Sequence, residues 1–253
     1  MNSCIQQSTS DYLVAQSVDP LPLWKRALDI AVSLAAVPLL APIAVTIAAA
    51  TKFNSPGPVL FKQKRVGYRG SEFYCYKFRT MRVNADVQVH QAHFSALMQS
   101  NAPMTKMDNR GDSRLIPGGR WLRASGLDEL PQIINILKGE MSLVGPRPCL
   151  SYEYEQYNTH QRGRFDSVPG LTGLWQVSGK NKTTFEQMIN LDIRYGKTKS
   201  LLGDLAIMVR TPFALFQQLR EISANSKALN NPQHKSITPA RKPAREQFKT
   251  TAV

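Results

Sequence analysis

Lys25-Arg26-Ala27-Leu28-Asp29 introduces Ile30-Ala31-Val32-Ser33-Leu34-Ala35-Ala36-Val37-Pro38-Leu39-Leu40-Ala41-Pro42-Ile43-Ala44-Val45-Thr46-Ile47-Ala48-Ala49-Ala50-Thr51, and Lys52 closes the run. As a helix the apolar part would measure about 33 Å, enough to cross the hydrocarbon of a bilayer. Pro38 and Pro42 argue against a plain span, because each removes a helical hydrogen bond and crowds the carbonyl four residues back, so a break is expected there. The flanks argue the same way. Lys25 and Arg26 precede the run, and Lys52, Lys62, Lys64 and Arg65 follow it, whereas a spanning helix carries its basic residues on one side. Basic residues at both ends suit a hairpin that dips into the membrane and returns. On residue physics alone, a Pro-kinked span stays open as the alternative.

Outward from this run the chain divides into four parts. Residues 1–22 read as a polar, disordered leader with no signal-peptide pattern, and 23–52 as the membrane element. Residues 53–222 read as a catalytic domain and 223–253 as a basic, disordered tail suited to anionic lipid. Within the domain, Val59–Phe61 and Phe73–Tyr76 flank a turn at Gly67–Gly70 and predict a small β-hairpin. Alternation along its second strand puts Lys77 and Arg79 on one face, where two cations would suit a phosphate. The fold class expected is α+β, mainly helical, on a re-entrant helical anchor. Leu201–Ile222 is apolar but carries Asp204, Arg210 and Arg220, so it packs on the domain or lies in the membrane interface.

The chemistry concentrates in Ser125-Gly126-Leu127-Asp128-Glu129-Leu130-Pro131-Gln132. Leu130, Ile133, Ile134 and Leu137 form one apolar helical face, and Pro131 fits only a first turn. Asp128 and Glu129 therefore stand at a helix start, where the dipole favours their ionised forms. An ionised Asp can be a nucleophile and a neighbouring Glu can hold a metal; taken alone, such a pair is ordinarily a helix cap. The helix is expected to stop at Gly139. Downstream, Pro146 and Pro148 stiffen the backbone around Arg147, whose guanidinium fork matches phosphate oxygens. In the stretch Pro169–Asn181, Gly170, Gly173 and Gly179 suggest a close backbone approach to a ligand. Thr183 with Glu186 predicts a capping box for a helix running to about Tyr195.

The 253-residue chain carries a net charge of +14, which implies an anionic partner. No nucleic-acid motif accompanies that charge, so a nucleic-acid partner is not expected. Cys4, Cys75 and Cys149 show no zinc spacing. Membrane attachment and phosphate-binding cations together point to a lipid phosphate meeting a soluble phosphorylated substrate.

Six ordered stretches resemble the bacterial sugar transferase family: Lys25-Arg26…Asp29, the Pro-interrupted apolar run, Lys77–Met81, Leu127–Gln132, Ser142–Pro148 and Pro169–Gln176. The chain looks like exopolysaccharide-initiating enzymes of the ExoY kind, and the resemblance covers about residues 23–220. It implies transfer of hexose-1-phosphate, glucose or galactose, from a UDP-hexose to undecaprenyl phosphate at the cytoplasmic face of the inner membrane, with release of UMP. It further implies Asp128 as nucleophile, Glu129 as a ligand of Mg²⁺, and Lys77, Arg79, Arg123 and Arg147 as phosphate binders. Gln176, Lys180, Asn181, Asp192 and Tyr195 match further family positions taken as substrate-binding. A homodimer or glycan-assembly partners are compatible with it. The chain departs from the family's usual residues with Ala41 before Pro42, Gly126 before Leu127, Lys180 in place of Arg, and Cys149 after Pro148. A non-catalytic basic scaffold of a polysaccharide assembly complex is the competing expectation, with the Asp-Glu pair as a mere cap.

Overall fold

The structure is a computed structural model that describes residues 21–82, 88–100, 102–104 and 114–229. The leader apart from its last two residues, Cys4, and the tail from residue 230 onward lie outside the described residues.

Helix α1 (Leu23–Asn54) holds the apolar run. Its exposed positions include Leu34, Leu39, Val45 and Phe53, while its buried ones are Lys25, Asp29, Ser33 and Thr51. That distribution is the reverse of a water-soluble helix and suits lipid outside and polar contact with the domain inside. The expected break is absent as such, because the helix runs through both Pro38 and Pro42. The two prolines lie four apart, so the carbonyl that Pro42 leaves without its helical donor is that of Pro38. The loss is thus confined to neighbouring turns. Pro42's own carbonyl receives the Thr46 hydroxyl at 2.9 Å.

Strands β1 (Leu60–Val66) and β2 (Glu72–Phe78) form the expected antiparallel hairpin, in register from Leu60 opposite Phe78 to Val66 opposite Glu72. Helices α2 (Gln88–Gln99) and α3 (Gly119–Ser125) follow. A 3₁₀ turn at Leu127–Gln132 then leads into α4 (Ile133–Lys138), which ends at Gly139 with φ +83°. Next come β3 (Ser142–Val144), α5 (Ser151–Glu155), α6 (Thr159–Arg162), β4 (Gly170–Thr172), α7 (Leu174–Val177), α8 (Phe185–Thr198) and α9 (Leu201–Leu229). Among the described residues the fold is mostly helical with two small two-stranded sheets.

Strand β3 pairs in parallel with β4, Ser142 opposite Gly170 and Val144 opposite Thr172. This pairing explains Gly170 and Gly173, whereas Gly179 turns the chain at φ +103°. A Cβ on Gly170 would stand 2.0 Å from the Gly145 nitrogen, and one on Gly173 would stand 2.2 Å from the Gly145 oxygen. Their close approach is therefore to another stretch of this chain's backbone, where the sequence suggested a ligand. The cap of α8 is also displaced by one residue. Thr184 and Gln187 make the capping box, because the Thr183 hydroxyl is taken by the Trp175 indole at 2.6 Å and the Lys180 carbonyl at 2.9 Å. Helix α9 likewise continues through Pro212. The largest core cluster gathers Val66, Phe94, Tyr157, Phe165, Trp175 and Phe185 with their neighbours. It fastens the hairpin to α2 and α8.

Candidate active site

Gly126 turns the chain at φ +72° between α3 and the 3₁₀ turn, a left-handed conformation that glycine adopts without strain. The turn delivers Asp128, 5% exposed, and Glu129 toward β2. On β2, Phe73 and Cys75 enter the core from one face, and the same alternation brings Lys77 to donate to Glu129 Oε1 at 2.6 Å. Arg147 Nη1 approaches the same oxygen at 3.8 Å. Burial alone would raise the Glu129 pKa, but Lys77 and Arg147 outweigh it and hold this carboxyl well below the usual range. A six-residue 3₁₀ turn offers little dipole, so these two cations, rather than the helix start assumed from sequence, keep Glu129 ionised.

The Arg147 segment is fixed from both sides. The Gly145 amide donates to the Thr172 carbonyl and the Pro146 carbonyl accepts from the Gly170 amide, each at 2.8 Å. The Pro148 carbonyl accepts from Arg65 at 3.1 Å. The Arg147 carbonyl accepts from Arg164 at 2.8 Å, and Arg164 is paired with Asp192 at 2.6 Å, both side chains 2% exposed. Asp192 thus lies behind Arg147, acting on the backbone through Arg164.

Lys180 adopts φ +28°, uncommon for a residue with a Cβ. Its ammonium donates to Gln218 Oε1 of α9 at 3.2 Å. Burial, together with the neighbouring Arg147 and Lys77 charges, lowers its pKa to about 8 against the opposing pull of Glu129 and Asp128. Gln176 donates to the Leu171 carbonyl at 3.0 Å. Gln176 Oε1 and Asn181 Oδ1 are buried without a hydrogen-bond partner among the described residues, acceptors left open beside the site. With Arg123 and Glu129, these residues line a cavity of about 550 Å³ that is also lined by apolar side chains, among them Val32 and Leu40 of α1 and Met208 and Leu215 of α9.

Lys77, Asp128, Glu129 and the Pro146–Pro148 segment are thus brought together, with Arg123, Gln176, Lys180 and Asn181 on the adjoining cavity. Others lie elsewhere. Arg79 is held by the carbonyls of Ser55, Pro56 and Pro58 and the Ser55 hydroxyl at 2.7–3.0 Å, fastening the exit of α1 to β2. Tyr195 receives Lys25 Nζ at 2.9 Å and lies 2.9 Å from both the Val144 carbonyl and Asp204 Oδ1; Lys25 also pairs with Asp204. Pro38 and Pro42 belong to α1. Sequence reading missed Arg164, Gln218 and Asp204. Nothing in their local spacing marks them, since their partners are distant in the chain.

A helical domain carried on one apolar helix, with an Asp-Glu pair, the cations Lys77, Arg123, Arg147 and Lys180 and a cavity lined in part by apolar side chains, defines a membrane-associated protein equipped for phosphate-bearing ligands. The chain belongs to the bacterial sugar transferase family, whose model matches residues 21–218. It is 34% identical over 215 residues to the exopolysaccharide production protein ExoY of Sinorhizobium fredii, covering 83% of this chain and 95% of that one. It is 40% identical over 205 residues to the UDP-glucose:undecaprenyl-phosphate glucose-1-phosphate transferase of Caulobacter vibrioides, covering 76% and 71%. Similarity to the undecaprenyl-phosphate galactose phosphotransferase of Salmonella typhimurium is 38% over 161 residues, 61% of this chain and 33% of that longer protein.

Proposed function

We propose that this enzyme transfers hexose-1-phosphate, glucose or galactose, from a UDP-sugar to undecaprenyl phosphate and so initiates synthesis of a surface polysaccharide. The observation that carries the reading is the buried Asp128 beside Glu129, whose carboxylate is met by Lys77 at 2.6 Å and Arg147 at 3.8 Å, with Glu129 also lining the cavity between α1 and α9. In the first step an Asp128 oxygen attacks the sugar-bearing phosphorus, the bond from that phosphorus to the UMP oxygen breaks, and UMP leaves. In the second, an oxygen of the lipid phosphate attacks the same phosphorus, the Asp128–phosphorus bond breaks, and the carboxylate is restored. Arg147 and Lys180 bind the phosphates, compensating charge as it shifts to the leaving group. The open acceptors of Gln176 and Asn181 receive donor hydroxyl or N–H groups. The apolar wall of the cavity takes the first isoprene units of the acceptor.

Mg²⁺ fits this donor set. The ion commonly takes one or two carboxylates and completes its shell with water and substrate phosphates, and no group of three or more His, Cys, Asp or Glu occurs among the described residues. Glu129 would hold the ion, with Lys77 and Arg147 passing to the phosphates. When bound, it supplies charge neutralisation at the diphosphate.

The re-entrant course of α1 belongs to the same proposal. A straight helix of its 32 residues would be about 48 Å long. Yet Arg26 at its start donates to the Ile136 and Leu137 carbonyls of α4, and Arg79, just past β2, grips Ser55 at its end. Strand β2 and α4 are themselves bonded through Tyr76 and Asn135. Both ends seated on one small unit favour a bend near Pro38 and Pro42, which leaves the domain on the cytoplasmic side of the inner membrane.

The test is UMP release in membranes supplied with undecaprenyl phosphate, Mg²⁺ and a panel of UDP-sugars, for wild type beside Asp128→Asn. Lipid-dependent UMP with one sugar, reduced at least about 10³-fold in the variant, is expected. A variant as active as wild type would remove Asp128 as nucleophile, and UDP as product would overturn the reaction.

A further inference from the structure

We infer that Asn135 is a positioning residue of the transfer reaction: its carboxamide fixes strand β2 against the turn that carries Asp128 and Glu129, and so sets where the Lys77 ammonium stands. The inference rests on the transfer reading above and adds to it the residue that holds Lys77 in place. Asn135 lies in α4 and is fully buried. Its Oδ1 accepts from the Tyr76 amide at 3.1 Å, and its Nδ2 donates to the Tyr74 carbonyl at 2.7 Å and to Glu140 Oε2 at 2.6 Å. The two bonds to β2 are those that the backbone of one residue in a parallel neighbouring strand would make. One side chain thus stands in for a strand along this edge, and its bonds engage the carboxamide's acceptor and both its donors.

Both sides of this joint reach the site within a few residues. Lys77 follows Tyr76 directly in β2, and its ammonium donates to Glu129 Oε1 at 2.6 Å. On the other side, the Ile133 amide donates to the Leu130 and Pro131 carbonyls, so α4 continues from the 3₁₀ turn without a free hinge. The Asn135 carbonyl accepts the Glu140 and Met141 amides at 3.0 Å and 3.2 Å, which closes the far end of α4. Phe73 and Cys75 pack on Ile136 and Met141 and press the strand against the helix. Apolar contact is non-directional, however, and sets no register along the strand; the two hydrogen bonds do. A leucine at position 135 would keep the packing and lose the register.

The full chain in detergent would be methylated at its lysines with formaldehyde and a borohydride reductant, and the extent at each lysine read by mass spectrometry of its peptides. Lys197, exposed on α8, is the reference. In the wild type Lys77, 14% exposed and paired with Glu129, should react several-fold more slowly than Lys197; equal rates would mean that the ammonium is not held, and would overturn the inference before any substitution. Asn135→Leu should raise the Lys77 rate several-fold relative to Lys197. So should Asn135→Asp, which keeps the shape and the acceptor for Tyr76 but loses both donors. Glu140→Gln preserves the two bonds to β2 and should leave the rate as in the wild type. An unchanged Lys77 rate in the folded Asn135 variants would overturn the inference, and so would a rise in Glu140→Gln equal to theirs. UMP release should fall by about 10²-fold in Asn135→Leu, the cost of a small misplacement. In a Lys77→Met background the same substitution should cost almost nothing more, because residues that act through one another are not additive; a full second loss there would make Asn135 merely structural. A wild type that releases no UMP would overturn the transfer reading instead, and the methylation rates would still decide whether Asn135 sets Lys77.

Discussion

Replacing Asp192 with Asn separates the frame of the site from its chemistry. Asp192 and Arg164 form a buried pair at 2.6 Å, each side chain 2% exposed. Leaving one charge of such a pair uncompensated costs about 3–5 kcal/mol. Asparagine keeps the shape and one acceptor, so the lower figure applies. About 3 kcal/mol corresponds to a fall in Tm of about 6–12 °C for a domain of this size, which a stability of about 5–15 kcal/mol survives. The consequence for turnover is separate. Arg164 also donates to the Arg147 carbonyl at 2.8 Å, and a guanidinium without its carboxylate is free to leave it. Misplacement by about 1 Å costs on the order of 10²-fold in rate, so UMP release should fall by about that factor while the chain remains folded. The control is the apolar pair Arg164→Met with Asp192→Leu. Apolar replacement of a buried ion pair is close to neutral in stability, so Tm should recover, but the Arg147 carbonyl still lacks its donor and turnover should stay low. A double variant that regains both would refute the reasoning: the pair would then serve packing alone. An unchanged Tm in Asp192→Asn would refute the assigned cost of the buried charge.

In the wild type, kcat/KM for the UDP-sugar should decline as pH rises through about 8, where the Lys180 ammonium loses its proton. Burial and the Arg147 and Lys77 charges depress this group, so its cationic, phosphate-binding form is complete only below that pH. Lys180→Arg keeps the charge and should move the alkaline limb beyond about pH 10; superimposable profiles would remove Lys180 from donor binding. Lys25→Met leaves Asp204 buried without its cation and should cost about 3–5 kcal/mol in thermal unfolding in detergent, and an unaltered Tm would mean that Lys25 reaches water instead.

Local patterns carried much of this architecture. Alternation and the Gly67–Gly70 turn were enough for the hairpin. An apolar run flanked by cations was enough for α1, and Gly139 with φ +83° for the end of α4. What failed did so where a local rule had two answers or where the deciding contact was remote. Thr183 and Thr184 are followed three residues later by Glu186 and Gln187, so both satisfy the capping pattern; only the Trp175 indole, by taking Thr183, selects the second. Arg79 follows Lys77 at the correct period, yet the strand ends at Phe78 and the three carbonyls of the 55–58 turn capture its guanidinium. Asp192 and Tyr195 carry chemistry-bearing side chains whose partners, Arg164 in one case and Lys25 with Asp204 in the other, no spacing rule connects. The Gly-rich stretch announced a close approach correctly, but composition cannot distinguish a ligand from another strand.

Those remote contacts converge on β3. The Asp29 carboxylate of α1 accepts from the Ser142 hydroxyl at 3.0 Å and the Leu143 amide at 2.9 Å. The Val144 carbonyl lies 2.9 Å from the Tyr195 hydroxyl, which Lys25 of α1 also binds. Beyond Val144 the backbone is bonded at Gly145, Pro146, Arg147 and Pro148 in turn. The path from the apolar helix to Arg147 is therefore held residue by residue, first by α1 and Tyr195, then by β4, Arg164 and Arg65. Buried charges are costly unless paired and hydrogen-bonded, and this chain places Lys25, Asp29, Asp192 and Asp204 along that one path. Such a strut gives Arg147 a set position relative to α1. If the acceptor phosphate is held at the bilayer surface by its lipid chain, a guanidinium fixed to the membrane helix meets it with little ordering left to do. On this reading the charges at the start of α1 do more than orient a helix in the membrane. They set the register between the lipid surface and the Asp128–Glu129 pair.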